Sequence, residues 1–421
     1  MTRARPLLVL HYSELWLKGC NKPFFVSKLK ASIEQTLEGL PVKLEGHVNE
    51  RMVVSAQTPE AAQEAAERLQ RVPGIEFIGV GVGIPPTLEG ILAAGLELMR
   101  GKDFRSFRVR AKRASKQLPF RSVEVERQLG ALIGEQARSQ GREVRVDLNH
   151  AEATCFVQAT ASEAVVFTDR LHGLGGLPTG TAGRLMCLLS GGIDSAVAAY
   201  KIMRRGVRVN FVHFYGAPAR PGEESPPIAR EIVRQLTPYQ GLSRLFLIDF
   251  DPIQRHIVAN APDEFRLLLY RRLMLRIAEK VARSHRCHGT ITGDSIAQVA
   301  SQTLSNIEGV NSVARMPVYR PLCGDDKQEI TAIARRIGTY ETSIEPFTDC
   351  CPLYMPRNPR LFARIDELDA VEAGLEAAAL IRRATTSLLR EIYEYRNGGV
   401  SQKSVRQYVV AENESSAVLA G

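Results

Sequence analysis

Six consecutive residues, Ser190-Gly191-Gly192-Ile193-Asp194-Ser195, have the types and spacing to hold a chain of phosphates. They follow the apolar run Leu185–Leu189 and precede a helix-compatible stretch. A tight glycine turn in that context aims backbone N–H groups and a helix N-terminus at one anion. Gly191 and Gly192 allow the backbone to approach closely, and Ser190 and Ser195 add hydroxyls. The lysine of a kinase-type phosphate loop is missing, so transfer of a γ-phosphate is not the natural chemistry. The plain alternative is a turn that only caps a helix, with Asp194 on its dipole.

Two other strand ends offer chemistry. His213 and Phe214 close the expected strand 207–214, at the carboxyl edge where parallel sheets bind ligands. His213 reads either as a structural histidine or as an adenine contact, and its place beside the loop recommends the second. Ile291-Thr292-Gly293-Asp294-Ser295 ends another strand, with Gln298 and Gln302 in a helix expected over 297–305. The seven cysteines include no CxxC pair, so neither a disulfide framework nor a zinc signature is present, and no metal-ligating set is expected. Cys155, Cys187 and Cys287 lie in apolar stretches and are expected to be small buried hydrophobes. Cys323 is expected to be buried with Pro321-Leu322 before it. Cys350-Cys351 follow Asp349 in a proline-bounded loop, which suits presentation of a thiol. The alternative is that both are structural.

These residues need elements to position them. From residue 184 strands and helices alternate: strands over 185–189, 207–214, 244–248 and 289–292, helices over 194–204, 226–236, 263–285 and 297–305. Continuous apolar strands in that rhythm predict a doubly wound, Rossmann-like parallel sheet over 184–421. Residues 1–84 read strand–helix–strand–strand–helix–strand, the ferredoxin-like order. Gly79, Gly81 and Gly83 open no helix there, which argues against a dinucleotide fingerprint. After Pro85-Pro86 an α+β unit spans 85–171, with a strand over 106–110 and a basic loop over 111–120. A glycine-rich linker, 172–183, closes it. The fold class is α/β throughout, in three domains.

The 421-residue chain is 44% hydrophobic and 24% charged, with no apolar run long enough to span a membrane. Its basic start leads into an apolar stretch too short for a signal peptide, so a cytoplasmic location is expected. The net charge is +9, and residues 101–145 alone hold twelve Lys/Arg against five Asp/Glu. One region thus carries most of the excess, as a nucleic-acid footprint would.

Six positions of SGGxDS in this setting resemble the signature of the PP-loop ATP pyrophosphatases. Further segments resemble the tRNA 4-thiouridine synthetases, the ThiI family: Glu14 to Asn21, Gly175 to Gly180, Val299 to Leu304, Arg320-Pro321-Leu322, Asp326-Lys327, Ile337 to Glu341, and Asp349-Cys350-Cys351 with Pro356 and Pro359. Lys112-Arg113, Lys116, Pro119, Ser122 and Glu124 resemble that family's THUMP RNA-binding domain. Each motif alone is weak, and the combination is specific.

The resemblance implies that ATP, with Mg2+, adenylates O4 of uridine 8 in tRNA, and that persulfide sulfur from a donor protein then replaces AMP. It implies ATP contacts at Leu188, Leu189, Ser190, Gly191, Gly192, Ser195, His213, Phe214, Arg271, Gly293 and Gln302. Asp194 and Lys327 are implied for adenylation, where a lysine near developing phosphate charge is physically apt; an exposed helix-start lysine is the other reading of Lys327. Cys350 or Cys351 is implied as the sulfur-bearing or resolving cysteine, and tRNA is expected on Arg110, Lys112, Arg113, Lys116 and Arg121. Implied partners are tRNA, a cysteine desulfurase and a second copy of the chain. The rhodanese-like domain of some members is not found here, so a short form is expected. Competing readings are an RNA-binding protein with a decayed ATP site, a sulfur carrier for thiamine thiazole synthesis, and a PP-loop enzyme acting on another RNA or a small molecule.

Overall fold

The computed structural model describes residues 5–12, 14–48, 51–216, 227–345, 354, 356 and 358–410. The chain forms two compact units, Met1–Gly176 and Leu177–Gly421.

The first unit opens with β1 (Arg5–His11), α1 (Lys22–Leu37), β2 (Val42–Val48), β3 (Arg51–Ala56), α2 (Pro59–Leu69) and β4 (Phe77–Ile84). It continues with α3 (Leu88–Arg100), β5 (Ser106–Arg113), α4 (Ser122–Ser139), β6 (Arg145–Val146), β7 (Ala153–Ala159) and β8 (Ala164–His172). All eight strands join one sheet in the order β2-β3-β1-β4-β8-β7-β5-β6. The first four are the ferredoxin-like set, and their junction with the later four is antiparallel β4–β8 pairing, with Val82 opposite Val166. Leu8, Leu10, Val54 and Ile78 pack with α1 and α2, while Val109, Val157 and Val166 pack with α3 and α4. Strand alternation turns Leu7, Val9, Val53, Val165 and Phe167 to the opposite face. The β4 glycines serve that face: a Cβ on Gly79 would lie 2.7 Å from the Phe167 ring, and one on Gly81 would lie 2.0 Å from the Val166 carbonyl oxygen. Strand β5 runs to Arg113, so the first three residues of the expected basic loop belong to the ladder, with Lys112 opposite Gln158.

The second unit begins with β9 (Arg184–Leu188), α5 (Ile193–Met203), β10 (Arg208–Tyr215), α6 (Pro227–Leu236), β11 (Leu242–Asp249), α7 (Asp251–Asn260) and α8 (Arg266–Ser284). There follow β12 (Thr290–Ile291), α9 (Leu304–Asn311), β13 (Val318–Tyr319), α10 (Lys327–Ile337), α11 (Tyr340–Ile344), α12 (Ile365–Ala373), α13 (Ala377–Thr386), β14 (Leu388–Arg396) and β15 (Gly399–Tyr408). The sheet order is β13-β12-β9-β10-β11-β14-β15. Strands β9 to β13 pair in parallel, and the chain winds outward from β9 through β10 to β11 before crossing to β12 and β13. The winding reverses beside β9, the place where doubly wound sheets bind ligands. The antiparallel pair β14–β15 extends the β11 edge and was not expected from the sequence.

Two expected helices differ. A 3-10 turn, Asp263–Phe265, precedes α8. The helix expected over 297–305 is a loop with a 3-10 turn at Ala300–Gln302; Val299 is extended, and Thr303 caps α9 by accepting the Asn306 N–H at 3.3 Å.

Candidate active site

The loop after β9 is held by its own hydroxyls. Ser195 Oγ donates to the Gly192 carbonyl at 3.1 Å and accepts the Ser190 N–H at 3.2 Å; Ser190 Oγ accepts the Gly192 N–H at 3.2 Å. Gly191 has φ +93°, a conformation that favours glycine. Gly192 gives α5 no side-chain cap, so the helix's first N–H groups can serve an anion. A Cβ on Gly293 would lie 2.7 Å from Ser195 N and 2.8 Å from the Asp194 carbonyl carbon, so glycine lets the segment after β12 press against the start of α5.

Asp194, in the first turn of α5, uses both oxygens. Lys327 Nζ lies 2.6 Å from Oδ1, and Gln298 Nε2 donates to Oδ2 at 2.8 Å. Lys327 is half exposed, so this pair adds little stability; its placement on the phosphate loop is what matters. Asp326 presents the lysine by capping α10, accepting the N–H groups of Gln328 at 2.7 Å and Glu329 at 2.9 Å.

A buried carboxylate organises the other wall. Asp294, 4% exposed, is ion-paired to Arg271 and to Arg320 Nε at 3.2 Å, and accepts the Thr292 hydroxyl at 2.8 Å. Burial by itself would push this carboxyl up; Arg271, Thr292 and Arg320 outweigh it and hold the group below the ordinary range. Gln302 Nε2 reaches the same carboxylate at 3.4 Å, and Arg271 also donates to the Ser301 carbonyl at 2.9 Å. Arg271, Gln302 and Gly293, expected at the nucleotide, therefore meet around Asp294.

His213 is fully buried at the end of β10, and its Nδ1–H donates to the Leu189 carbonyl at 2.8 Å. Burial drives its pKa down to about 4, against the Leu189 bond that favours the cation, so the ring is neutral near pH 7. Leu188 is partly buried at the end of β9. The Phe214 side chain points into the core, edge-on to Phe250 at 5.4 Å, so only its main chain stays on this strand end as a contact.

In the first unit Arg110 and Lys112 are exposed two residues apart on one face of β5. Lys116 and Arg121 are also exposed. Arg113 stands apart: its guanidinium donates to the carbonyls of Leu118 at 3.2 Å and Phe120 at 2.7 Å and braces the basic loop from inside. Sequence reasoning missed Arg51 and Arg170. Arg51 and Lys112 line a cavity of about 190 Å³ with Val9, Val53, Gln158 and Thr160. Arg170 lies 3.6 Å over the Phe77 ring, and Phe77 stacks on His11 at 3.8 Å. Burial and the neighbouring Arg170 push the Arg51 pKa down, and among the described residues Arg51 and Lys112 have no carboxylate ion pair. Such cations are suited to an outside anion. Isolated arginines in strands carried no motif that could have exposed them.

Cys155, Cys187 and Cys287 are buried, and burial pushes the Cys155 thiol up to about 12 and the Cys287 thiol up to about 11. They stay protonated and are unsuited to nucleophilic roles. Cys323 is exposed, contrary to expectation: Leu322 takes the core-facing side of the turn, at 0% exposure, and turns its neighbour outward. Cys350 and Cys351 lie outside the described residues. Among those residues no group of three or more His, Cys, Asp or Glu is arranged for a metal ion, and no helix is long and apolar enough to cross a membrane.

Three family models match this chain. That of a ThiI ferredoxin-like domain covers residues 7–78, that of the THUMP domain covers 87–169, and that described as thiamine biosynthesis protein (ThiI) covers 180–377. A probable tRNA sulfurtransferase of Thermus thermophilus is 44% identical over 92% of this chain and 94% of its own. One from Moorella thermoacetica is 38% identical over 90% and 96%. A crystal structure of a 4-thiouridine synthetase in complex with RNA, with bound ATP, superposes with TM-score 0.81 and 33% identity, over 92% of this chain and 99% of that one. On this likeness, which runs through both units, the chain belongs to the ThiI family.

Proposed function

We propose that this protein is an ATP-dependent tRNA sulfurtransferase that converts uridine 8 of tRNA to 4-thiouridine. The observation that carries the reading is the meeting of Asp194 and Lys327 on a phosphate loop at the switch point of the second unit's sheet, in a chain whose relatives bear that activity in their names.

ATP seats its phosphates on the N–H groups of Ser190–Ser195 and the N-terminus of α5. Asp194 is the one carboxylate on this loop, which fits Mg2+, an ion commonly held by one or two carboxylates with the rest of its shell from phosphate and water. His213, neutral and fixed through Leu189, and Arg271, fixed by Asp294, shape the adenosine end. The uridine O4 attacks the α-phosphate and pyrophosphate leaves; Lys327 Nζ, freed from Asp194, counters the charge that develops. The terminal sulfur of a persulfide then bonds to the C4 carbon and AMP departs. A second thiol attacks the remaining S–S bond, releasing the thiolated base and leaving a disulfide that an external thiol must reduce.

Cys350 or Cys351 carries the persulfide, loaded by a cysteine desulfurase. The tRNA backbone lies on Arg110, Lys112, Lys116 and Arg121, with Arg51 and Arg170 beside them. The enzyme works as a homodimer in the cytoplasm. A second use, sulfur supply for thiamine thiazole synthesis, is favoured by the description of the family model over 180–377; restored growth of a thiamine auxotroph would test it. The main reading is tested by pyrophosphate release. It should require both ATP and tRNA, and release without tRNA at the same rate would contradict an RNA substrate.

A further inference from the structure

Lys327 sits at the first position of α10, on a turn that must hold it at the phosphate loop. That turn is tied at four points, two to the segment after β12 and two to α5. Ser295 Oγ donates to the Asp325 carbonyl at 3.0 Å, and the Ile296 N–H donates to the Cys323 carbonyl at 3.2 Å. The other two come from one side chain: Lys201 Nζ is ion-paired with the Asp325 carboxylate and donates to the Pro321 carbonyl at 3.3 Å. Neither member of this ion pair is more than about a third exposed.

Lys201 lies seven residues after Asp194, two turns on and on the same face of α5. One helix face thus offers an anion at its start and a cation further along. The facing turn offers the complement, Asp325 to Lys201 and Lys327 to Asp194. Sliding the turn along α5 would bring like charges together, so the two pairs define one register. They differ in what ATP does to them. The Asp194–Lys327 pair must open for Lys327 to reach phosphate, whereas Lys201–Asp325 lies away from the phosphate loop and can persist.

We propose that Lys201 and Asp325 form a positioning pair, the fixed point about which Lys327 moves from Asp194 to the nucleotide. This rests on the role given above to Lys327. The pair touches no phosphate, so its loss should act on the rate of adenylation and leave ATP affinity nearly unchanged. A misplacement of about 1 Å at a reacting group costs up to about a hundredfold in rate.

The test uses full-length Lys201→Met, Asp325→Asn, the double variant, Lys201→Arg and Lys327→Ala, with AMP formation measured on tRNA at saturating and limiting ATP. We expect each pair-breaking single variant to lose about tenfold in kcat with KM for ATP within about twofold, on the scale of that misplacement cost. The double variant should lose no more than the worse single, and Lys201→Arg should recover most of the rate. Thermal melts above the assay temperature exclude unfolding, and Asp325→Asn stands in if Lys201→Met does not fold. Wild-type kcat in both singles, with Lys327→Ala impaired, would overturn the positioning role alone. A double variant that loses the product of the two singles would overturn it too. Wild-type AMP formation by Lys327→Ala would instead remove the reading of Lys327 on which the proposal stands.

Discussion

Lys327 Nζ and Asp194 Oδ1 stand 2.6 Å apart although 133 residues separate them in sequence. Both oxygens of Asp194 are engaged, the second by Gln298 at 2.8 Å, so the carboxylate is oriented before any ligand arrives. Asp194→Ala and Lys327→Ala should each lower AMP formation by about a hundredfold or more, the scale of removing one preorganised charge from a developing anion. The RNA contacts proposed in the first unit are untouched, so tRNA binding measured by gel shift should stay within about twofold. Near-normal AMP formation by either variant would remove that residue from the chemistry.

The basic face of the first unit should bind through phosphate. Lys112→Ala and Arg51→Ala should each weaken tRNA binding and reduce the slope of log affinity against log salt by about one. Arg113→Ala should differ from them: its guanidinium holds the Leu118 and Phe120 carbonyls, so the variant should lower the unit's melting temperature as well. Unchanged salt slopes in the Lys112 and Arg51 variants would reduce the patch to solvated surface.

The buried His213 makes stability depend on pH. Its folded pKa is depressed to about 4 while an unfolded histidine titrates near 6.5, so between these values the unfolded chain binds the extra proton. Stability of the second unit should be complete above about pH 6.5 and fall by about 1.4 kcal/mol per pH unit on acidification toward pH 4. His213→Gln removes this titration and should flatten the decline between pH 6.5 and 5 by about 2 kcal/mol in denaturant melts. An equal decline in both proteins would mean that other groups govern it.

Sulfur delivery should separate from adenylation. Cys350→Ser and Cys351→Ser should leave AMP formation intact, and at least one should abolish thiolation by a cysteine desulfurase. If both singles and the double variant thiolate tRNA normally from the desulfurase, the carrier lies elsewhere, and exposed Cys323 becomes the next residue to change.

The parts of the site that come from one contiguous segment were legible in the sequence. Ser190–Ser195 announces itself because strand, glycine turn and helix start are local, and the strand–helix rhythm around it gives the parallel sheet by the same logic. What joins distant segments was not legible. No spacing rule brings Gln298 to Asp194, Lys201 to Asp325, or Arg320 to Asp294; those contacts exist because β12 and the α10 turn return to the edge beside β9. Nor could residues 106–113 be divided between strand and loop from composition, because Lys112 and Arg113 look equally polar while the ladder to β7 turns them to opposite faces. The exposure of Cys323 was not legible because both residues lie in one turn, which buries Leu322 and faces its neighbour outward.

The most direct measurement is the nucleoside content of tRNA after incubation with the purified protein, ATP, Mg2+, a cysteine desulfurase and cysteine. Digestion and mass spectrometry should show 4-thiouridine from position 8 in about stoichiometric amount with the AMP released, and none when ATP is omitted or when that uridine is replaced by cytidine. AMP release on tRNA without 4-thiouridine, or equal thiolation of the cytidine-substituted tRNA, would contradict assignment of this chain as the uridine 8 sulfurtransferase.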